Sequence, residues 1–211
     1  MKKSFNDPAY SVAVYKQQVN GYQNMLAGIW PLETARTSHV NCRNLSDWFV
    51  HNLDKKIPVY DIGCGRGFYV DEMVKSEFKS VTGFEGTPNI HSIAICDPKY
   101  LIVKDITTPI NVKTQGTVIC LEVMEHIWQA DSDYVLTNIR NLCLQDLILS
   151  WALPGQGGTG HVNERDSNYV IPLLKKYGFV LHDENTLRIR DRAGQEINYF
   201  GQSLYVFRKT E

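Results

Sequence analysis

The stretch that most constrains this chain is a short apolar run that ends near an acid and continues into closely spaced glycines, Val59-Tyr60-Asp61-Ile62-Gly63-Cys64-Gly65-Arg66-Gly67-Phe68. The apolar run predicts a buried strand, and the glycines predict a tight turn. A helix that begins near Phe68 directs its unpaired N–H groups and positive dipole end towards a ligand. The stretch therefore predicts a cradle for a nucleotide-like molecule.

The spacing of the glycines narrows the choice of nucleotide. The dinucleotide fingerprint G-x-G-x-x-G requires glycine at position 68, where this chain has Phe, and the Lys-Ser/Thr pair of a phosphate-binding loop is missing. An acid two residues before G-x-G-x-G instead resembles the first motif of the class I, Rossmann-like S-adenosylmethionine-dependent methyltransferases. The resemblance implies that Asp61 helps to hold the amino acid part of the cofactor. It assigns the following further residues to the cofactor site: Gly63, Cys64, Gly65, Gly67 and Phe68.

Composition sets the limits of the interpretation. The chain has 211 residues, 43% of them hydrophobic, which predicts a single domain with one sizeable core. A net charge of −1 gives no general basic surface, so a nucleic-acid partner is not expected. Five scattered cysteines predict reduced thiols in the cytoplasm, and the absence of a long apolar run or a signal-peptide pattern predicts no membrane association. The oligomeric state is left open.

The order of the apolar segments predicts an α/β fold. Strands are expected at 58–62, 80–84, 101–103, 117–122 and 146–152, and helices at 68–76, 89–95, 131–144 and 167–177. The tail predicts an antiparallel pair, Leu187–Arg190 with Ser203–Phe207. The expected architecture is a Rossmann-like, doubly wound, mostly parallel sheet with a C-terminal antiparallel hairpin and N-terminal helices.

The chain before residue 57 is expected to be a helical segment, residues 1–56, that precedes a methyltransferase core of residues 57–211. One helix is predicted within residues 1–30 and ends at Pro31, and a second begins near Leu45 with Asn44 or Ser46 as its cap. The polar run Arg36–His39 is expected to connect them, and its residues are candidates for the substrate site, with a solvated loop as the alternative. In the resembling family such a segment often closes over the cofactor and the substrate, which implies the same here.

The ends of the later strands supply the remaining cofactor residues. Glu85, followed by Gly86, ends the second strand, and a carboxylate at that position can accept hydrogen bonds from both ribose hydroxyls. In the resembling family an acid after the third strand accepts from the adenine amino group, and the next apolar residue packs on the ring. Asp105 and Ile106 match those two positions, and Leu121 in the fourth strand is expected to face the cofactor.

The run Glu122-Val123-Met124-Glu125-His126 brings three ligand-type side chains to the end of the fourth strand. It resembles the metal-ligand run of two O-methyltransferase groups, those of ubiquinone biosynthesis and those that methylate the terminal ribose of small RNAs. The small-RNA group completes its site with a further histidine after the fifth strand, and His161 stands there. The resemblance therefore implies Mg²⁺ or Mn²⁺ bound by Glu122, Glu125, His126 and His161. Such an ion would lower the pKa of a bound hydroxyl.

A metal-free site is the alternative, because E-V-x-E-H also occurs in metal-free relatives of this fold. His126 and His161 are then the expected general bases, since imidazole titrates near neutral pH, and Glu122 is the third catalytic candidate.

The acceptor is expected to be a polar molecule. Four glycines lie within residues 155–160, and Gln156, His161 and Asn163 add donors and acceptors, which suits a sugar with neighbouring hydroxyls. A flexible connection is the alternative for this loop, and Trp151 before it is either a stacking surface or a core residue. The sequence predicts methyl transfer to a sugar or glycan hydroxyl; nucleic-acid ribose or small-molecule N-methylation and an inactive binding module are the alternatives.

Overall fold

In a computed structural model of the protein, residues 29–210 are described. They form a seven-stranded sheet whose strands are β1 (Val59–Ile62), β2 (Val81–Glu85), β3 (Leu101–Val103), β4 (Gly116–Cys120), β5 (Cys143–Ser150), β6 (Phe179–Leu181) and β7 (Leu204–Lys209). The strand order is β3-β2-β1-β4-β5-β7-β6. The first five strands run parallel, and β7 pairs antiparallel with both β5 and β6. The predicted α/β architecture is confirmed.

Seven α-helices accompany the sheet within the described part of the chain. They are α1 (Leu32–Ser38), α2 (Arg43–Asn52), α3 (Phe68–Lys75), α4 (Ser132–Leu142), α5 (Ser167–Lys176), α6 (Asp183–Gly194) and α7 (Phe200–Ser203). Short 3₁₀ turns cover Ile90–Ile93, Pro98–Tyr100, Met124–His126 and Gln129–Asp131. The helix predicted over residues 89–95 is therefore only one 3₁₀ turn. The helix predicted within residues 1–30 lies outside the described residues, apart from its last two positions.

Two apolar layers fix the helices on opposite faces of the sheet. One layer contains Val135, Leu136 and Ile139 of α4 with Val170 and Leu174 of α5. The other contains residues of α2, α3 and α6, among them Phe49, Met73 and Ile189. Helices on both faces require strands that are apolar on both sides, and β1 and β4 are buried along their whole length. Between residues 29 and 210, no helix has the length and apolar character needed to cross a bilayer.

The strand predicted at Leu187–Arg190 is wrong, because these residues lie inside α6. Leu187 is exposed, and the buried positions of α6 are Thr186, Ile189 and Ala193, which follow helical spacing rather than alternation. The acids Asp183 and Glu184 in its first turn also favour a helix. The antiparallel partners of β7 are β5 and β6, both of which lie earlier in the chain.

The start of α2 also differs from the prediction. Cys42 is the N-cap, Ser46 is buried within the helix, and no side chain of the cap residue accepts a hydrogen bond. Instead the Glu196 carboxylate accepts from the backbone N–H groups of Arg43 (3.0 Å) and Asn44 (2.8 Å). The cap therefore comes from a residue distant in sequence, which local cap preferences do not reveal. The polar run Arg36–His39 is likewise not a simple connection, because α1 extends to Ser38.

Candidate functional site

A cavity of about 370 Å³ opens at the carboxyl ends of the parallel strands. The strand order reverses between β1 and β4, and ligands of open α/β sheets bind at this position. All but one of the residues assigned from the sequence to the cofactor, the metal or catalysis line this cavity: Asp61, Gly63, Cys64, Gly65, Phe68, Glu85, Gly86, Asp105, Ile106, Leu121, Glu122, Glu125, His126 and His161. The fold thus brings together residues that are up to 100 positions apart in the chain.

Gly67 is the predicted cofactor residue that does not line the cavity; Asn163, expected to contact the acceptor, does not line it either, and its amide donates to the Met124 carbonyl and the Ser132 hydroxyl. A Cβ on Gly67 would lie 2.5 Å from Cys96 Sγ and 3.2 Å from Leu101 Cδ2. Gly67 has a φ of +80°, which also places it in the left-handed region, at the N-cap of α3. Close packing beneath the turn therefore explains this glycine without a ligand.

The glycine-turn half of the cavity is formed by the ends of β1, β2 and β3 and by the turn at residues 63–67. Asp61 is 2% exposed, and its Oδ2 atom has no hydrogen-bond partner among the described residues. Burial, together with the nearby charge of Glu85, raises the pKa of Asp61 to about 7. A cationic ligand group next to this carboxylate would offset that cost.

Glu85 and Asp105 are held by the backbone at their strand ends. Glu85 Oε2 accepts from the N–H of Gly65 (2.9 Å), and Oε1 accepts from the N–H of Thr87 (2.8 Å). Asp105 Oδ1 accepts from the N–H (2.9 Å) and the hydroxyl (2.7 Å) of Thr107. Each carboxylate oxygen can accept more than one hydrogen bond, so both acids are fixed in place and still able to bind a ligand.

The histidine half of the cavity begins at Glu122, directly after β4. Glu122 adopts a φ of +53°, which is uncommon for a residue with a side chain. Its Oε1 accepts from the Ser150 hydroxyl (2.8 Å) and its Oε2 from the Gln156 amide (2.9 Å). Burial raises the pKa of this carboxyl, although both hydrogen bonds act against the shift. Glu122 is therefore tied to β5 and to the glycine-rich loop.

Glu125 is the least satisfied charged residue in the histidine half. Its side chain is fully buried, and neither carboxylate oxygen has a hydrogen-bond partner among the described residues. Burial, followed by the charge of Glu122, raises its pKa well above the ordinary value. An unpaired buried carboxylate is costly, so the geometry calls for a proton or a cation beside Glu125.

The two predicted histidines face this carboxylate. The Nδ1–H of His126 donates to the carbonyl of Gly160 (3.3 Å), which leaves Nε2 without a proton and 4.0 Å from Glu125 Oε1. Burial and the neighbouring His161 lower the pKa of His126 to about 4. The ring centroids of His126 and His161 are 4.9 Å apart. His126 is therefore a neutral imidazole that presents a lone pair to the cavity.

Glu125, His126 and His161 place one ligand atom each within 4.8 Å of one another. Glu122, the fourth predicted ligand, lies outside this group. One carboxylate and two imidazoles form a donor set that suits a divalent cation such as Mn²⁺. The unpartnered oxygens of Glu125 are the structural observation that fits an ion at this position.

The glycine-rich loop is attached to this cluster by its backbone. The carbonyl of Glu125 accepts from the N–H groups of Val162 (2.8 Å) and Asn163 (3.0 Å). Trp151 is a core residue, since its ring is fully buried and its Nε1 donates to the carbonyl of Asn163 (2.6 Å). The prediction that Trp151 forms a stacking surface is therefore wrong, and its side chain positions the loop instead.

Several cavity residues and one supporting residue escaped the sequence analysis. Trp30 stacks on His39 with ring centroids 5.2 Å apart, and its ring lies edge-on to His126 at the same distance. Tyr199 and Phe200 also line the cavity, and the supporting residue is Glu164, which contacts His161. Tyr199 and Phe200 come from the tail, where the sequence carries no motif. For Glu164, the spacing His161-x-x-Glu164 was the one feature of the sequence that could have indicated a contact with His161.

No protein-family model and no curated protein matches this chain. Among solved structures, the magnesium protoporphyrin IX methyltransferase (ChlM) of Synechocystis PCC 6803 with bound SAH is 18% identical, with 98% of this chain and 96% of that chain covered and a TM-score of 0.60. The 1,6-didemethyltoxoflavin-N1-methyltransferase of Burkholderia thailandensis is 14% identical over 85% of this chain and 80% of that chain, with a TM-score of 0.55.

The small RNA methyltransferase HEN1 is also similar, at 14% identity and a TM-score of 0.60. The match covers 80% of this chain and 25% of that protein. At these identities the likeness concerns the fold alone. It confirms that the chain has the Rossmann-like fold of S-adenosylmethionine-dependent methyltransferases.

Proposed function

We propose that this protein is an S-adenosylmethionine-dependent O-methyltransferase that acts on a hydroxyl of a sugar or glycan with the help of a divalent cation. One observation carries the proposal. The Asp61–Gly65–Glu85 cradle and the Glu125, His126 and His161 cluster open into the same cavity at the strand-order reversal of a methyltransferase fold. The methyl donor and the acceptor would then bind in the same cavity.

The glycine-turn half supports the choice of cofactor. Asp61 has an unpartnered buried oxygen where a cationic amino acid group would be neutralised, and Gly65, with a φ of +55°, donates its N–H to Glu85 and lies against the His39 ring. Glu85 is fixed at the end of β2 for the ribose hydroxyls, and Asp105 with Ile106 is assigned to the adenine. When bound, S-adenosylmethionine supplies an electrophilic methyl group.

The histidine half supports transfer to a hydroxyl. Glu125, His126 and His161 would hold the cation, and a cation at this position lowers the pKa of a hydroxyl bound to it. Glu122 and Gln156 are held together on the wall of the same cavity, and we assign to them hydrogen bonds that orient the acceptor. Alignment of the acceptor oxygen with the methyl group is then the main contribution of the protein.

The charges of the cavity favour a neutral acceptor over a phosphorylated one. Five acids line it: Asp61, Glu85, Asp105, Glu122 and Glu125. Among the described lining residues, Arg66 is the only Lys or Arg, and its side chain donates to the carbonyls of Ile93 and Arg36. An anionic acceptor would be repelled by this wall, whereas a sugar with neighbouring hydroxyls would not.

The segment that precedes β1 contributes to enclosure of the cavity. Ile29, Trp30 and His39 line the cavity, and Trp30 contacts both His39 and His126. We assign to this part of the predicted 1–56 segment the role of closing over the cofactor and the acceptor. Closure excludes water and strengthens the electrostatic interactions inside.

Methyl transfer to free sugars, glycans and nucleotide-linked sugars tests the proposal. The assay is run after EDTA treatment and again after Mg²⁺ or Mn²⁺ is restored. We expect activity on uncharged sugars that disappears with EDTA and returns with metal. Activity that is indifferent to EDTA would contradict the metal role and leave His126 or His161 as the base.

Small-molecule N-methylation is the second candidate, and the unpaired Glu125 carboxylate supports it, since that carboxylate could take a proton from an ammonium group and leave the neutral amine as the nucleophile. Transfer to amines but not to sugars would favour it. S-adenosylmethionine binding without turnover on either panel would favour an inactive binding module.

A further inference from the structure

Glu164 contacts the ring of His161 on the side away from the cavity. Its Oε1 lies 2.8 Å from His161 Nδ1, and both side chains are largely shielded from solvent. A carboxylate only accepts hydrogen bonds, so this contact places the proton of the neutral imidazole on Nδ1. The lone pair of the ring is then on Nε2.

The same carboxylate is fixed by the glycine-rich loop. Glu164 Oε2 accepts from the N–H of Gly155 (2.7 Å), and Oε1 also accepts from the N–H of Gly157 (3.0 Å). Three donors from one loop therefore converge on a single side chain. Glu164 cannot rotate away from His161 without breaking the loop contacts, so the direction of the ring is coupled to the fold of residues 155–161.

Gly158 lies next to the opposite nitrogen of the ring. A Cβ at this position would lie 2.2 Å from His161 Nε2, closer than any side chain tolerates. The Cβ would also lie 2.6 Å from Cε1 and 2.8 Å from Cδ2, so only glycine lets the ring pack this closely against the loop. The loop thus holds Nδ1 through Glu164 and makes room for the opposite edge of the ring through Gly158.

We propose that Glu164 and Gly158 are positioning residues that fix His161 as the Nδ1–H tautomer, with Nε2 directed towards Glu125 and His126. The inference deepens the proposed function, since an open Nε2 is what either a metal ligand or a general base at this position requires. His126 shows the same arrangement, because the carbonyl of Gly160 holds its Nδ1–H. Outer partners of this kind fix ligand histidines, and their loss costs about 10- to 100-fold in metal affinity.

The tautomer of His161 tests the proposal in the ligand-free protein. ¹⁵N-histidine labelling distinguishes a protonated ring nitrogen from a bare one, and the His161→Gln variant assigns the signals. We expect the wild-type protein to show a protonated Nδ1 and a bare Nε2. Glu164→Ala should lose this preference, and Glu164→Gln should keep part of it because its amide oxygen can still accept. A wild-type ring protonated on Nε2, or an unchanged tautomer in Glu164→Ala, would overturn the proposal.

Mn²⁺ binding, followed by electron paramagnetic resonance, provides a second readout. Glu164→Ala is expected to weaken binding about 10- to 100-fold. Gly158→Ala should weaken it further, because the new methyl group would clash with the ring and displace it. Gly155→Ala is the matched control, since its φ of +84° strains the same loop but no atom lies within 4 Å of its Cβ. Equal losses in Gly155→Ala and Gly158→Ala would show general loop damage and contradict the role of Gly158.

The two measurements separate this proposal from the function on which it rests. The tautomer is read without metal, cofactor or acceptor, so it decides the orientation of His161 whatever the methyl-transfer assay returns. Failure of the wild-type protein to bind Mn²⁺ would refute the metal site and leave the tautomer result standing. Glu184→Ala, which removes a carboxylate from an exposed ion pair on α6, is the control for loss of charge.

Discussion

The two halves of the cavity treat their buried carboxylates differently. In the glycine-turn half, each oxygen of Glu85 accepts a backbone N–H. In the histidine half, Glu125 is fully buried and neither oxygen has a partner among the described residues. The protein itself satisfies the hydrogen-bonding needs of Glu85, whereas Glu125 requires a proton or a cation from solution. Asp61, with one unpartnered oxygen, lies between these extremes.

This difference shows where each half obtains its specificity. The glycine-turn half is preorganised, since its acids are fixed before any ligand arrives. The histidine half contains a buried carboxylate that needs a proton or a cation, and while it is ionised it selects against anionic ligands. A common cofactor and a selective acceptor site are consistent with this division. The following predictions test it, from the largest expected effect to the smallest.

Replacement of Glu125 should have the largest effect. Glu125→Gln keeps the shape of the side chain but removes the only carboxylate of the three-residue cluster. We expect Mn²⁺ affinity and methyl transfer to fall by more than about 100-fold, since even outer partners of metal ligands cost 10- to 100-fold. Cofactor affinity, measured by calorimetry, should change little. A parallel loss of cofactor binding would mean that the two halves are not independent.

Short sequence motifs describe the local geometry of the glycine-turn half more completely than that of the histidine half, and the reason is physical. Asp61, Gly65 and Glu85 act through the backbone of their own strand ends and turns, so short motifs contain most of the information. Glu125 and His161 depend on contacts between β4, β5 and the loop that follows it, which spacing alone does not fix. Glu122 therefore resembled a ligand in sequence, although in three dimensions Ser150 and Gln156 hold its carboxylate.

The fold shows the same division between local and long-range information. The five parallel strands were predicted to within about three residues, because fully buried strands read as continuous apolar runs. The tail was not, since Leu187–Arg190 alternates like a strand but lies in a helix with Ile189 buried against α2. The cap of α2 by Glu196 and the contact of Trp30 with His126 are also long-range, so no local pattern predicts them.

Asp61 should make cofactor binding dependent on pH. Its pKa of about 7 means that a proton competes with a cationic ligand in mildly acidic solution. We expect cofactor affinity to weaken about tenfold between pH 8 and pH 6, and Asp61→Asn to remove most of that dependence while it weakens binding at pH 8. Calorimetry in buffers of different ionisation enthalpy would detect the proton released on binding. If cofactor affinity still depends on pH in Asp61→Asn, the pH dependence belongs to another group.

The stability of the ligand-free protein should follow the opposite trend. Because the folded-state pKa of Asp61 is raised above its ordinary value of 3.8, its contribution to stability is present at low pH and is lost as the pH rises through about 7. Asp61→Asn should therefore flatten the fall in thermal midpoint between pH 5 and pH 8. An unchanged pH profile of the midpoint would argue that Asp61 is solvated.

Trp30 should have the smallest effect, because it joins the two halves without belonging to either. Its ring stacks on His39, which lies over Gly65, and meets the ring of His126 edge-on. Loss of such aromatic contacts is worth about 0.5–1.5 kcal/mol, so Trp30→Ala should weaken the cofactor and the acceptor by about 2- to 10-fold each. Trp128→Ala, which removes a half-exposed tryptophan outside the cavity, is the control. Weaker binding of only one ligand would assign Trp30 to the half of the cavity that binds that ligand. Equal weakening of both would show that Trp30 contributes to both halves.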